Sequence, residues 1–217
     1  MPTELGLNDL CARIRQCDRC RLRATCTQVV PGEGSASASV MYVGEGPGEE
    51  EDSTGRPFVG HSGQYLRETL RQTEVDQVPY YITNTVRCRP PDNRTPNPDE
   101  CAACWQWTEE ILRVIRPRVI VTLGRPALAT LSQRLGFYQK VGQNGIIKLA
   151  GIPMYIDKQD IYIYPMFHPA HALRRMDARA EFYGHAEYLR VALPGWLRRP
   201  LKTVAAAGTG TGADHAT

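Results

Sequence analysis

Four short apolar runs punctuate the chain: SVMYVG (39–44), YYITNTV (80–86), RVIVTLG (118–124) and IYIYPMF (161–167). Each has the length of a strand and is rich in β-branched or aromatic residues. Most are apolar at successive rather than alternate positions, the pattern of a strand buried on both faces. Residues 62–73, 98–115, 125–135 and 178–192 instead carry apolar residues at helical spacing. The second of these starts well. Pro98 occupies the first turn, where a missing N–H costs nothing, and Asp99 and Glu100 meet the positive end of the helix dipole. Strands alternating with helices predict an α/β fold, a three-layer αβα sandwich around a central, mainly parallel four-stranded sheet. Ligands in such folds bind beyond the carboxyl ends of the strands. The loops opening at Gly44, Arg87, Gly124 and His168 are therefore where a site is expected.

The 217 residues suit one domain, read as residues 1–200. Residues 201–217 are mostly small and polar with little to bury, and disorder is expected there. Hydrophobic content of 42% and charged content of 23% match an ordinary globular chain. The first residues, MPTELGLNDLCARIRQC, hold no signal-peptide-like apolar run, and nowhere do about eighteen apolar residues follow one another. A cytoplasmic location without membrane association is expected. A net charge of +3 does not by itself point to nucleic acid. Three arginine groups, Arg87/Arg89/Arg94, Arg113/Arg116/Arg118 and Arg174/Arg175, are solvated faces unless the fold gathers them. Gathered, they would hold a phosphate backbone.

Seven cysteines are many for a reducing compartment, where thiols serve as metal ligands or reactive groups more often than as disulfides. Cys17-x-x-Cys20 lies near the N-terminus; Cys88 and Cys104 stand further on. Four thiolates suit zinc or an iron–sulfur cluster. Cys101-Ala-Ala-Cys104 is a second C-x-x-C, so a zinc site from Cys17, Cys20, Cys101 and Cys104 is also compatible, and Cys11 and Cys26 are further substitutes. The plain reading of Cys11, Cys26 and Cys101 is as small, partly buried apolar residues.

The loop after the first strand, GEGPGEEEDSTGRPFVG (44–60), mixes glycines with five carboxylates and then turns apolar. Together with Cys17-x-x-Cys20, VPGEG (30–34), TNTVRCRPPDNRTPNP (83–98) leading to Cys104, RPRVIVTLG (116–124) and FHPAHALRR (167–175), it resembles the family 4 uracil-DNA glycosylases, the iron–sulfur branch of the uracil glycosylase superfamily. The segments keep the family's order and cover roughly residues 15–190.

The resemblance implies a monofunctional, monomeric repair enzyme that flips uracil from DNA and hydrolyses its glycosidic bond, leaving an abasic site. It implies a structural [4Fe–4S] cluster on Cys17, Cys20, Cys88 and Cys104. Gly44, Gly46 and Gly48 would let backbone approach the base and sugar, and Phe58 would stack on the base. Asn84 would pair with uracil O4 and N3–H, a pattern that cytosine reverses. His168 would donate to O2 as the uracil leaves as an anion. The superfamily's water-positioning aspartate has no counterpart here, because its place is Gly46; Glu45 is the first candidate for orienting water and stabilising the cationic sugar, and Glu51 the second. Gly48 stands where other branches carry a tyrosine that blocks the thymine methyl, so Glu51 is also a candidate for excluding thymine. Leu173 and Arg174 would fill the gap left by the flipped base. Two other readings stand beside this one. A capture protein that binds uracil-DNA without turnover is one, although the basic, histidine-bearing insertion of covalent relatives is absent. An iron–sulfur electron carrier is the other, and it leaves Phe58, Asn84 and His168 unexplained.

Overall fold

The computed structural model describes residues 4–141 and 145–200; the segment 201–217, for which the sequence predicts disorder, lies outside the described residues. The strands are β1 (Glu33–Gly34), β2 (Val40–Gly44), β3 (Tyr80–Asn84), β4 (Val119–Leu123), β5 (Met154–Ile156) and β6 (Ile161–Met166). The helices are α1 (Glu4–Arg15), α2 (Glu49–Thr54), α3 (His61–Gln72), α4 (Pro98–Ile115), α5 (Arg125–Arg134), α6 (Tyr138–Val141), α7 (Gly145–Leu149), α8 (Pro169–Ala172) and α9 (Met176–Arg198).

They form one sheet in the order β1-β3-β2-β4-β6-β5. The four strands expected from the apolar runs are its parallel centre, β3-β2-β4-β6. The sheet has six strands rather than four because each edge carries a short antiparallel addition. Glu33 and Gly34 pair with Ile82 and Tyr81, and β5 folds back on β6.

Both faces of the sheet are covered, which is why its central strands are apolar at most positions. Met41, Val43, Ile120 and Ile163 face Leu10 and Ile14 of α1 and Trp107 and Ile111 of α4. Val40, Tyr42, Val121 and Tyr164 face the other way, against Leu66 and Leu70 of α3 and Phe182 and Leu189 of α9. Two helical layers thus sandwich the sheet. Among the described residues no helix is long and apolar enough to cross a membrane.

After β2 the chain adds β3 on one side and then returns to add β4 on the other. This reversal opens a crevice at the carboxyl end of β2. Arg113, Arg116 and Arg118 end α4 and lead into the start of β4, at the opposite end of the strands. The three arginine groups therefore do not form one surface.

Candidate active site

A cavity of about 160 Å³ lies in that crevice, between the loops that follow β2, β3 and β6. An engineered cavity of about 150 Å³ admits one benzene ring, so this one takes a single six-membered ring. Glu45, Gly46, Gly48 and Glu51 line it from the first loop, and Phe58, Asn84 and His168 complete the chemically distinctive wall.

The acidic loop folds around its own carboxylates. Glu51 is buried and accepts three backbone N–H groups, from Gly48 at 3.0 Å, Val59 at 2.9 Å and Gly60 at 2.8 Å. One side chain thereby ties the start of α2 to the chain entering α3. Asp52, also buried, accepts from the Thr27 and Gln28 amides and fastens the N-terminal segment to this loop. Glu49 is exposed and faces Arg89 at 3.5 Å.

Phe58 is buried in the left-handed region at φ 53°, a strained state for a bulky residue, worth about 1–3 kcal/mol. Two contacts hold it there. Arg67 donates to the Pro57 carbonyl at 2.9 Å and the Phe58 carbonyl at 3.0 Å. Gly63 leaves space on the other side: a Cβ there would lie 2.2 Å from the Phe58 carbonyl carbon. The Phe58 ring sits 6.4 Å from that of His168 at an interplanar angle of 32°.

Asn84 ends β3 only 2% exposed. Its side-chain amide has no hydrogen-bond partner among the described residues and opens onto the cavity it lines. Gly44, its partner in the β2–β3 register, makes room for it. A Cβ on Gly44 would lie 2.5 Å from both Asn84 Oδ1 and Phe58 Cζ. Gly44 therefore shapes the cavity from behind, while Gly46 and Gly48 reach its lining. Thr85 holds the next residue in place, with its N–H on the Gly44 carbonyl at 2.9 Å and its hydroxyl on the Glu45 carbonyl at 2.5 Å. The Glu45 carboxylate has no ion pair or hydrogen bond among the described residues.

His168 follows β6 and caps α8. Its Nδ1 accepts the Ala170 N–H at 3.2 Å, so the neutral ring carries its proton on Nε2. Burial lowers its pKa to about 4, against a smaller upward pull from the Glu51 carboxylate. Leu173 lines an adjoining open groove of about 570 Å³ that shares Glu51 and Ser62 with the ring-sized cavity, and Arg174 is exposed next to it.

Cys17, Cys20, Cys88 and Cys104 ring a second, narrow cavity between the N-terminal segment, the loop after β3 and α4. Among the described residues no three Cys, His, Asp or Glu side chains are grouped to hold a single metal ion. None of the seven cysteines is in a disulfide. Burial and then neighbouring thiols push the Cys88 thiol up, and Cys20 likewise. The donor set suits an anionic, sulfur-bound group. Trp107 Nε1–H reaches Cys17 Sγ at 3.1 Å, and a buried arginine, Arg87, lies 3.9 Å from Cys104 Sγ. Cys11 and Cys26 are buried and Cys101 half-buried. Cys26 neighbours Cys88, closer to the ring than the sequence suggested, and helps push that thiol up.

Glu100 links the two cavities. The sequence marks it only as a helix-dipole residue. Fully buried, it accepts from Arg94 at 2.7 and 2.8 Å, from Arg21 at 2.9 Å and from the Asn97 amide at 2.8 Å. Hydrogen bonding from Arg94 above all lowers its pKa to about 2. Arg94 and Pro96 line the ring-sized cavity, whereas Arg21 follows Cys20. The loop over the cavity and the cysteine segment thus share one carboxylate.

The sequence profile of the uracil DNA glycosylase superfamily matches residues 31–189. The type-4 uracil-DNA glycosylase of Thermotoga maritima is 42% identical over 163 residues, 75% of this chain and 80% of that protein. The type-4 enzyme of Sulfurisphaera tokodaii is 39% identical over 182 residues, 80% of this chain and 79% of its own. A type-5 uracil-DNA glycosylase of Thermus thermophilus is 38% identical over 122 residues, 49% of this chain and 55% of the relative.

Proposed function

The chain belongs to the uracil DNA glycosylase superfamily and, within it, to the type-4 enzymes, and from that premise we propose that it excises uracil from DNA by hydrolysing the N-glycosidic bond. The product is an abasic site for repair. The observation that carries this reading is Asn84: a buried amide without a protein partner, facing a cavity for one ring.

A base must leave the helix stack before its glycosidic bond is accessible. Once flipped, uracil would lie against Phe58 and present O4 and N3–H to Asn84, which accepts one and donates to the other. Cytosine would leave both amide groups mispaired, and such mismatches discriminate by about 10⁴ or more. The Nε2–H of His168 would meet O2 as negative charge develops there, so its stabilisation falls on the transition state rather than the bound substrate. Glu45, held by its backbone and free at its carboxylate, is our candidate for orienting water and facing the cationic sugar. Glu51 is committed to three loop amides and takes second place. It also stands 2.8 Å from where a side chain on Gly48 would begin, which supports it as the group that crowds a thymine methyl. Gly44 contributes by making room, Gly46 and Gly48 by close approach of the backbone. Leu173 and Arg174, at the groove beside the cavity, are suited to occupy the space the base vacates. Among the described residues no lysine lines the cavity, which supports reading the enzyme as monofunctional, without strand cleavage.

Cys17, Cys20, Cys88 and Cys104 would hold a [4Fe–4S] cluster, supplying a structural tie between the N-terminal segment, the loop after β3 and α4. We read residues 1–200 as one cytoplasmic, monomeric domain acting on uracil-containing DNA.

The test is incubation of the protein and its His168→Ala form with oligonucleotides carrying uracil, cytosine or thymine, with and without alkali. Alkali-dependent cleavage at uracil alone is expected, reduced about 10²–10³-fold in the variant. A gel-stable protein–DNA adduct without free uracil would make this a capture protein, and no reaction in any lane would overturn the assignment.

A further inference from the structure

Arg87 is read from the sequence as one of a surface group of arginines, yet it is among the most enclosed side chains in the molecule, 1% exposed. A guanidinium stays charged and offers five N–H donors in a planar fork. Here one nitrogen, Nη1, reaches the Thr108 hydroxyl at 2.8 Å, the Thr85 carbonyl at 3.1 Å and Cys104 Sγ at 3.9 Å. The other two, Nε and Nη2, are buried with no partner among the described residues. No carboxylate among the described residues pairs with it. Burying an uncompensated charge is strongly unfavourable, so the fold must gain a compensating anion there.

The position of the side chain identifies that anion by chemistry. Arg87 lines the same narrow cavity as Cys17, Cys20, Cys88 and Cys104. Four thiolates leave a sulfur-bound iron cluster with net negative charge, and N–H donors to its sulfurs stabilise it and tune its potential. Arg19 and Arg23 also line the cavity but are exposed; Arg87 is the cation enclosed with the thiols. The same guanidinium holds the Thr85 carbonyl, and Thr85 in turn holds the backbone of Gly44 and Glu45.

We propose that Arg87 is the buried counter-charge and hydrogen-bond donor of the cluster, and a positioning residue through which the cluster fixes the end of β3 at Asn84 and the start of the loop after β2 at Glu45. Nη1, the nitrogen that reaches Cys104 Sγ, also holds the Thr85 carbonyl, and the unpartnered Nε and Nη2 leave further N–H donors beside the thiols. Loss of the cluster would then disturb the base cavity as well as the N-terminal segment.

This inference rests on the iron–sulfur reading, so the first measurement separates the two: iron and acid-labile sulfide per chain in protein purified without air. Their absence from the wild type overturns the cluster itself. With the cluster present, Arg87→Met and Arg87→Lys are compared with wild type by midpoint potential, by iron release to a chelator, and by KM and kcat on a uracil oligonucleotide. Arg87→Met should shift the potential downward, release iron about 10–100-fold faster and change KM and kcat together. Arg87→Lys, which keeps the charge but has fewer donors, should recover the potential while still releasing iron faster than wild type. Wild-type potential and iron release in Arg87→Met would overturn the proposal. Should that variant not fold, a wild-type iron-release rate in folded Arg87→Lys would overturn it equally.

Discussion

The Ala170 amide donates to Nδ1 of His168 across 3.2 Å, and this contact decides which ring nitrogen carries the proton. With Nδ1 accepting, the neutral ring presents Nε2–H. Burial lowers the pKa from 6.5 to about 4, so that neutral form persists well below pH 7. The sign follows directly. Between pH 6.5 and 4 the unfolded chain binds more protons at this residue, so its contribution to stability is complete above 6.5 and is lost as the pH falls. The kcat/KM profile should be flat through pH 6.5 and bend only near pH 4, if His168 controls it; an NMR titration of the ring gives the same value independently. An inflection near 6.5 carried by His168 would contradict this geometry.

Asn84 offers a donor and an acceptor, and Asn84→Asp replaces the donor with an acceptor at nearly constant volume. An acceptor would then oppose uracil O4, while the amino group of cytosine would gain a partner. Uracil excision should fall by about 10² or more, and excision of cytosine should become detectable in a gel assay of matched oligonucleotides. Unchanged preference would remove Asn84 from base reading.

Gly63 and Gly184 make a controlled pair. A methyl on Gly63 would lie 2.4 Å from the Phe58 Cα, whereas one on Gly184, within α9, would meet nothing within 4 Å. Gly63→Ala should destabilise by about 1–3 kcal/mol, as overpacking does, and should raise KM by moving Phe58. Gly184→Ala should stabilise by up to about 1 kcal/mol through helix propensity. Thermal melts of the two variants check both signs.

Glu100 makes acid sensitivity specific. Its pKa falls from 4.5 to about 2 in the folded protein, mainly through Arg94. Its contribution is therefore present above about pH 4.5 and is lost as the pH falls through about 2. Glu100→Gln should cost on the order of 2 kcal/mol at neutral pH. That is below the about 3–5 of a fully enclosed pair, because Arg21 and Arg94 both reach solvent. Urea denaturation from pH 7 to 2 should show a flatter acid limb in the variant.

The centre of the fold is readable because its four strands are buried on both faces and so are largely apolar. The edge strands are not: Glu33 and Gly34 have no strand character of their own and are held by pairing with β3. The N-terminal helix is not among the expected helices, although Leu7, Leu10, Cys11 and Ile14 recur at helical spacing and are all buried. The loops that build the cavity were found because they end parallel strands and carry a familiar series of motifs. What composition hides is the fate of charge. Arg87, Glu51, Asp52 and Glu100 look like surface residues, and only tertiary contacts show them as the buried braces of two cavities. Gly44 was placed at the site for close approach to a ligand, whereas the space it leaves belongs to Asn84 and Phe58.

The short outer strands also govern how the molecule meets its own kind. An exposed edge of a parallel sheet is a template onto which another chain can add. Here residues 30–35 run along β3, with the Val30 and Ser35 amides bonded to the Arg87 and Tyr80 carbonyls, and β5 covers the other edge. What faces outward is a ladder of two residues on one side and three on the other. A net charge of +3 would supply little repulsion between crowded copies, so protection against edge-to-edge polymerisation comes from these truncated borders.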